Sequence, residues 1–132
     1  MYYSRPNLYQ SYQQNSVMTA SPMELIIMLY EAAIKNLKLA KLCIESKEYE
    51  KANMAFIKTE NILCELAQSL DMKYPISKQL LELYEFFLDE TIAANIDKSA
   101  QRILPILSLL EQLKQTWKEV KAEGGQVSMQ QG

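Results

Sequence analysis

Glycine is missing from the first 123 of the 132 residues; all three glycines, Gly124, Gly125 and Gly132, fall in the last nine. Glycine adopts positive φ without steric cost, and tight two-residue hairpin turns depend on it. A β-rich body with many such turns is therefore disfavoured. Long helices joined by turns that use Asn, Asp, Ser or Pro satisfy the constraint, and the length suits one domain.

Histidine is absent altogether. That removes Ser-His-Asp and Cys-His nucleophile activation, Cys2His2 zinc sites, and the Glu-x-x-His pairs that hold two metals inside ferritin-like bundles. The chain reads as a non-enzyme with no cofactor and no metal. The carboxylates Glu60, Glu65, Glu82, Glu85, Asp89 and Glu90 read as solvated helix faces, with Lys58 and Lys78 nearby.

The 14 basic and 16 acidic residues are interspersed, for a net charge of −2, and form no basic stripe for a nucleic acid. The opening MYYSRPNLYQ has neither a basic nor an apolar signal region, and no apolar run reaches membrane-spanning length, so a cytoplasmic protein without membrane insertion is expected. Two thiols agree with a reducing compartment. Cys43 lies near a predicted turn and Cys64 roughly 20 Å further along the bundle at 1.5 Å per residue, too far for a disulfide.

Order is expected to begin at Thr19-Ala20-Ser21-Pro22-Met23-Glu24, where Ser21 can cap, Pro22 needs no N–H partner, and Glu24 can close a capping box. Ile26, Tyr30, Ala33, Leu37, Ala40 and Ile44 then repeat as a helical seam that ends near Ser46-Lys47. Tyr49, Ala52, Phe56, Thr59, Leu63, Leu66 and Leu70 form a second seam so close behind that the two helices must be antiparallel neighbours. Pro75 breaks the chain again, and Pro75 or Ser77 starts a third helix with the seam Leu80, Tyr84, Phe87, Thr91 and Ala94. Asn95 is expected to take the left-handed position at its end. Asp97 or Ser99 caps a fourth helix running through Ile103, Ile106, Leu110, Leu113, Trp117 and Val120, in which Pro105 should cause a kink or an irregular start.

The expected fold is all-α: an antiparallel up-down four-helix bundle over residues 21–121, preceded by an extended N-terminal segment (1–20) and followed by a disordered tail (122–132). The N-terminal segment has one charge, Arg5, and four tyrosines. It either frays or lies on an apolar groove through Tyr9, Tyr12 and Val17.

Each helix carries more apolar residues than a core stripe needs, among them Leu39, Leu42, Met54, Ile57, Leu81, Phe86, Leu88, Ile92, Leu104 and Leu107. The surplus predicts exposed grooves suited to a partner helix, or a wide core with a homodimer face. Trp117, Tyr30 and Tyr84 stand on seams as core aromatics.

The stretch TASPMELIIMLYEAAIKNL at 19–37, with Tyr9, Tyr12, Asn15 and Val17 before it, resembles the N-terminal signature of the FliS-type flagellar export chaperones. SLDM at 69–72, LLELYEFFLDETIAAN at 80–95 and LLEQLKQTWKEV at 109–120 continue the likeness in order. It departs at Lys73-Tyr74-Pro75, where the family commonly has a glycine-containing loop, and at Pro105.

The resemblance implies a cytoplasmic export chaperone. It would bind the disordered C-terminal segment of flagellin, prevent early polymerisation and pass the client to the flagellar type III export gate. Other flagellar assembly factors are further candidate partners, and the client-free chain would be a monomer or homodimer. The expected groove residues are Ile57, Leu63, Leu66, Leu81, Tyr84, Leu88, Leu107 and Trp117, with Tyr9, Tyr12 and Val17 as a displaceable lid. The alternative is a helical adaptor or homodimeric interaction protein with another partner.

Overall fold

The structure is a computed structural model that describes residues 22–123. Four helices make up this part of the chain: α1 (Pro22–Glu45), α2 (Tyr49–Gln68), α3 (Pro75–Asp97) and α4 (Ala100–Ala122). α1 packs on α2 and α4, and α3 packs on α2 and α4, so the helices follow one another around a square. Short connections make successive helices antiparallel.

The expected seams point inward. Leu80, Tyr84, Phe87, Thr91 and Ala94 of α3 are all buried, as are Tyr30, Ala33, Leu37 and Ala40 of α1 and Ile103, Ile106, Leu110 and Val120 of α4. Leu29, Phe56, Leu63 and Leu66 complete the centre. Burying each large apolar side chain contributes about 1.5–3 kcal/mol. Tyr49, the first residue of the expected α2 seam, is instead exposed beside the turn.

Two turns need positive φ, and lysine supplies it at both: Lys47 (φ 61°) and Lys98 (φ 50°). In the first, the Glu48 N–H donates to the Cys43 carbonyl at 2.7 Å and the Lys47 N–H to that of Ile44 at 3.0 Å. In the second, the Ser99 N–H donates to Ala94 at 3.0 Å and the Lys98 N–H to Asn95 at 3.2 Å. Both are Schellman closures, which satisfy the last helical carbonyls.

Asn95 thus does not take the left-handed position; α3 continues two residues past it. The Lys98 ammonium compensates by donating to both the backbone and the side-chain oxygen of Asn95, each at 2.9 Å. The left-handed conformation costs a side-chain-bearing residue about 1 kcal/mol.

Ser99 is the cap of α4, its hydroxyl accepting from the Arg102 N–H at 3.2 Å. α4 begins regularly at Ala100 and passes through Pro105 as helix, so the irregular start does not occur. Pro105 cannot serve the Gln101 carbonyl, but both residues are exposed, where water can. Ahead of α3, Tyr74 is extended (ψ 134°) and Pro75 opens the helix. The buried Ser77 donates to the Asp71 carbonyl at 2.6 Å, and Asp71 accepts the Lys73 N–H at 3.0 Å, which ties down this glycine-free loop.

Candidate partner-binding surface

Across the bundle's diagonal, Tyr30 of α1 meets Tyr84 of α3: their hydroxyls are 2.7 Å apart and buried, and either can be the donor. The rings sit edge to face, centroids 6.3 Å apart. Burial pushes the Tyr30 phenol up, against hydrogen bonding by Tyr84 and Trp117. Tyr84 is pushed up further, by burial first and then by the charge and hydrogen bond of Tyr30. Both stay neutral near pH 7 and serve the interior.

The outer surface carries large apolar side chains among its charges. Met28, Leu39, Leu42, Met54, Ile57, Phe86, Ile92, Ile96 and Leu104 are exposed. Isolated exposed leucines are ordinary, but apolar residues gathered along one seam mark a binding surface.

One such seam runs between α2 and α3. The Asn95 amide donates to the Asn53 side-chain oxygen at 2.8 Å and fixes the register of these antiparallel helices. Counting in opposite directions from that pair sets Ile57 level with Thr91, one residue from Ile92, and Glu60 level with Leu88. Leu81 lies two turns beyond Leu88 on the same side of α3. Ile57 and Ile92 are exposed, while Leu81 and Leu88 are half-buried. Partial burial raises the Glu60 carboxyl above the usual range.

Of the expected groove residues, this seam brings together Ile57, Leu81 and Leu88. Leu63, Leu66 and Tyr84 are at most 2% exposed and belong to the core, so they offer a partner no surface. The reason is the width of the apolar stripe on each helix, whose middle faces inward and whose edges line the seams. Leu107 and Trp117 are half-buried against the core on α4, away from the α2/α3 seam. Tyr9, Tyr12 and Val17 lie outside the described residues, as does the expected cap Ser21. Ile92 joins the seam although it was only one of many surplus apolar positions; its spacing from Leu88 was the available signal.

Glu65 corrects another expectation. It is fully buried rather than solvated, because spacing from Lys58 turns it to the flank of α2 that α1 covers. Among the described residues no three Cys, Asp or Glu side chains stand together as metal ligands, and no helix is long and apolar enough to cross a membrane.

A helical square with apolar residues exposed along its outer seams fits a binding protein of the helical-bundle class. The chain belongs to the FliS family: the family described as flagellar protein FliS matches residues 5–124. It is 33% identical over 113 residues to the flagellar secretion chaperone FliS of Bacillus subtilis, covering 86% of this chain and 85% of that protein. It is 32% identical over 110 residues to the protein of the same name from Salmonella typhimurium, covering 81% and 82%. The match to the Campylobacter jejuni protein of that name is 29% over 114 residues, covering 85% and 89%. This is a family of chaperones rather than of enzymes.

Proposed function

We propose that this chain is a cytoplasmic export chaperone that binds the disordered C-terminal region of flagellin along the α2/α3 seam. It thereby prevents premature polymerisation and delivers the client to the flagellar type III export apparatus. The observation that carries this reading is the alignment of exposed Ile57 and Ile92 with half-buried Leu81 and Leu88 along a seam whose cross-link is a neutral Asn pair. The likeness to proteins named flagellar secretion chaperones supports the export role.

An amphipathic helix of the client would bury its apolar face there beside the uncharged Asn53–Asn95 link, with Glu60 as a flanking carboxyl that burial already biases toward its neutral form. Folding on binding takes back part of the gross interaction energy as ordering entropy, so tight capture remains compatible with release. Tyr9, Tyr12 and Val17 act as a displaceable cover of the same seam. The test is calorimetric titration of the full chain with a peptide of the flagellin C-terminal region, with circular dichroism on the mixture. Heat, one-to-one stoichiometry and a gain in helicity are expected. A thermally silent titration without added helicity, or a self-associated chain unmoved by client, sinks the reading.

A further inference from the structure

The side of the bundle opposite the α2/α3 seam has a different chemistry. α1 turns Leu39 and Leu42 outward, 46% and 62% exposed. Between α1 and α4 they floor a trough of about 450 Å³ whose rim carries Lys35, Lys38 and Lys114 against one acid, Glu31. Its charges are already over-subscribed on the positive side. Lys38 Nζ (3.4 Å) and Lys114 Nζ (3.6 Å) share the single carboxylate of Glu111, and Glu31 is engaged by Lys118 at 3.7 Å. On the other flank of α1, Lys58 of α2 and Lys51, which is paired with Glu48 at 3.4 Å, border a smaller trough of about 180 Å³ that also includes Leu39. A chain with a net charge of −2 has thus gathered positive charge around its most exposed α1 leucines.

Charge complementarity selects the occupant. The N-terminal residues 1–21 have Arg5 as their only charged side chain and bring no carboxylate. A second copy docked by the same face would set lysines against lysines. A flat anionic bilayer meets a concave trough poorly, whereas a helix fills one.

We propose that the α1/α4 trough is a docking site for an acidic amphipathic helix of another protein. Its apolar stripe lies on Leu39 and Leu42, and its carboxylates meet Lys35, Lys38 and Lys114. Residues 35 to 42 span about 10 Å of α1, two turns of a partner helix. The site is separate from the α2/α3 seam, so its occupation and that of the proposed client seam can be read independently.

The probe is a fluorescein-labelled 18-residue peptide with leucines at i, i+3, i+4 and i+7 and glutamates flanking them; the control replaces every glutamate by glutamine. With the full chain, anisotropy should rise with the acidic peptide, and binding should weaken at least about tenfold for the glutamine control and for the Lys35→Glu, Lys38→Glu double variant. Leu42→Ser should weaken it at unchanged charge, and added salt should weaken it progressively. Circular dichroism verifies that each variant folds, both altered lysines being at the surface.

Equal binding of both peptides, no binding of either, or indifference to the lysine substitutions overturns the proposal. So does self-association on sedimentation that the lysine variant abolishes, which would assign the trough to a second copy. Shifts of the Leu39 and Leu42 methyls on adding a peptide of residues 1–21 would assign it to the chain's own N-terminus. Binding to vesicles of anionic phospholipid in place of the peptide would assign it to a membrane.

Discussion

Three ion pairs cross from α1 to α4: Lys38 to Glu111 at 3.4 Å, Lys118 to Glu31 at 3.7 Å and Lys121 to Glu24 at 2.9 Å. The α2/α3 seam is linked instead by an uncharged Asn95–Asn53 hydrogen bond of 2.8 Å. Exposed apolar residues stand on both sides of the bundle, yet their surroundings sort the partners each side can take. A rim of lysines and glutamates holds water and rewards complementary charge. Along the α2/α3 seam the amide pair and aliphatic groups let apolar burial proceed beside Glu60, a carboxyl that burial already biases toward its neutral form.

The sharpest way to break this contrast is to charge the neutral side. Ile57→Asp with Ile92→Asp should weaken flagellin C-terminal peptide binding by about a hundredfold, while Lys35→Glu with Lys38→Glu leaves it within about twofold. Calorimetry on both doubles reads the difference; equal losses would abolish the division between seams.

Next in size is the response of the ion-paired side to salt. Raising NaCl to about 0.5 M should cost no more than about 1 kcal/mol of stability, because each exposed pair contributes about 0.2–1 kcal/mol. Glu31→Lys alone should lower the urea midpoint, and adding Lys118→Glu should restore it. A salt-independent midpoint would mean the pairs are ornamental.

The two lysine turns sharpen the comparison at the bundle ends. Lys47→Gly should gain about 1 kcal/mol by relieving the left-handed strain. Lys98→Gly should gain less, because it forfeits the ammonium bonds that steady Asn95 and through it the α2/α3 link. Thermal unfolding of both variants measures the gap.

The smallest effect is expected at Glu60. Burial raises its folded pKa above that of the unfolded chain, so the protonated form is favoured by the fold and that contribution is lost as pH rises through the folded value. Glu60→Gln should therefore stabilise slightly at pH 7 and not in acid, a difference that urea unfolding at the two pH values would detect.

Helical spacing made the bundle legible. The whole α3 seam, the Ser99 cap and the start of α3 at Pro75 follow from period, cap chemistry and proline sterics. The seam residues were only partly legible, because a wide apolar stripe has one period but two destinations. Leu63, Leu66 and Tyr84 took the inward one, while Ile57, Leu81 and Leu88 took the rim. Lysine at the left-handed positions left no local mark, since Asn95 was the better candidate by intrinsic preference. The two further residues of α3 and the Lys98 side-chain bonds outweighed that preference. Glu65 is buried through the reach of a neighbouring helix, which no single helix's pattern contains.

The Tyr30–Tyr84 hydrogen bond joins α1 and α3, one of the two diagonal pairs that do not share a seam. It is a diagonal brace, and a braced square resists shear in either direction. Any motion that carries α1 and α3 apart would have to break that buried bond as well. On the proposed reading, the chaperone therefore keeps its shape while the client changes its own. The conformational work of capture and release falls on the cargo, and the carrier emerges from each delivery ready for the next.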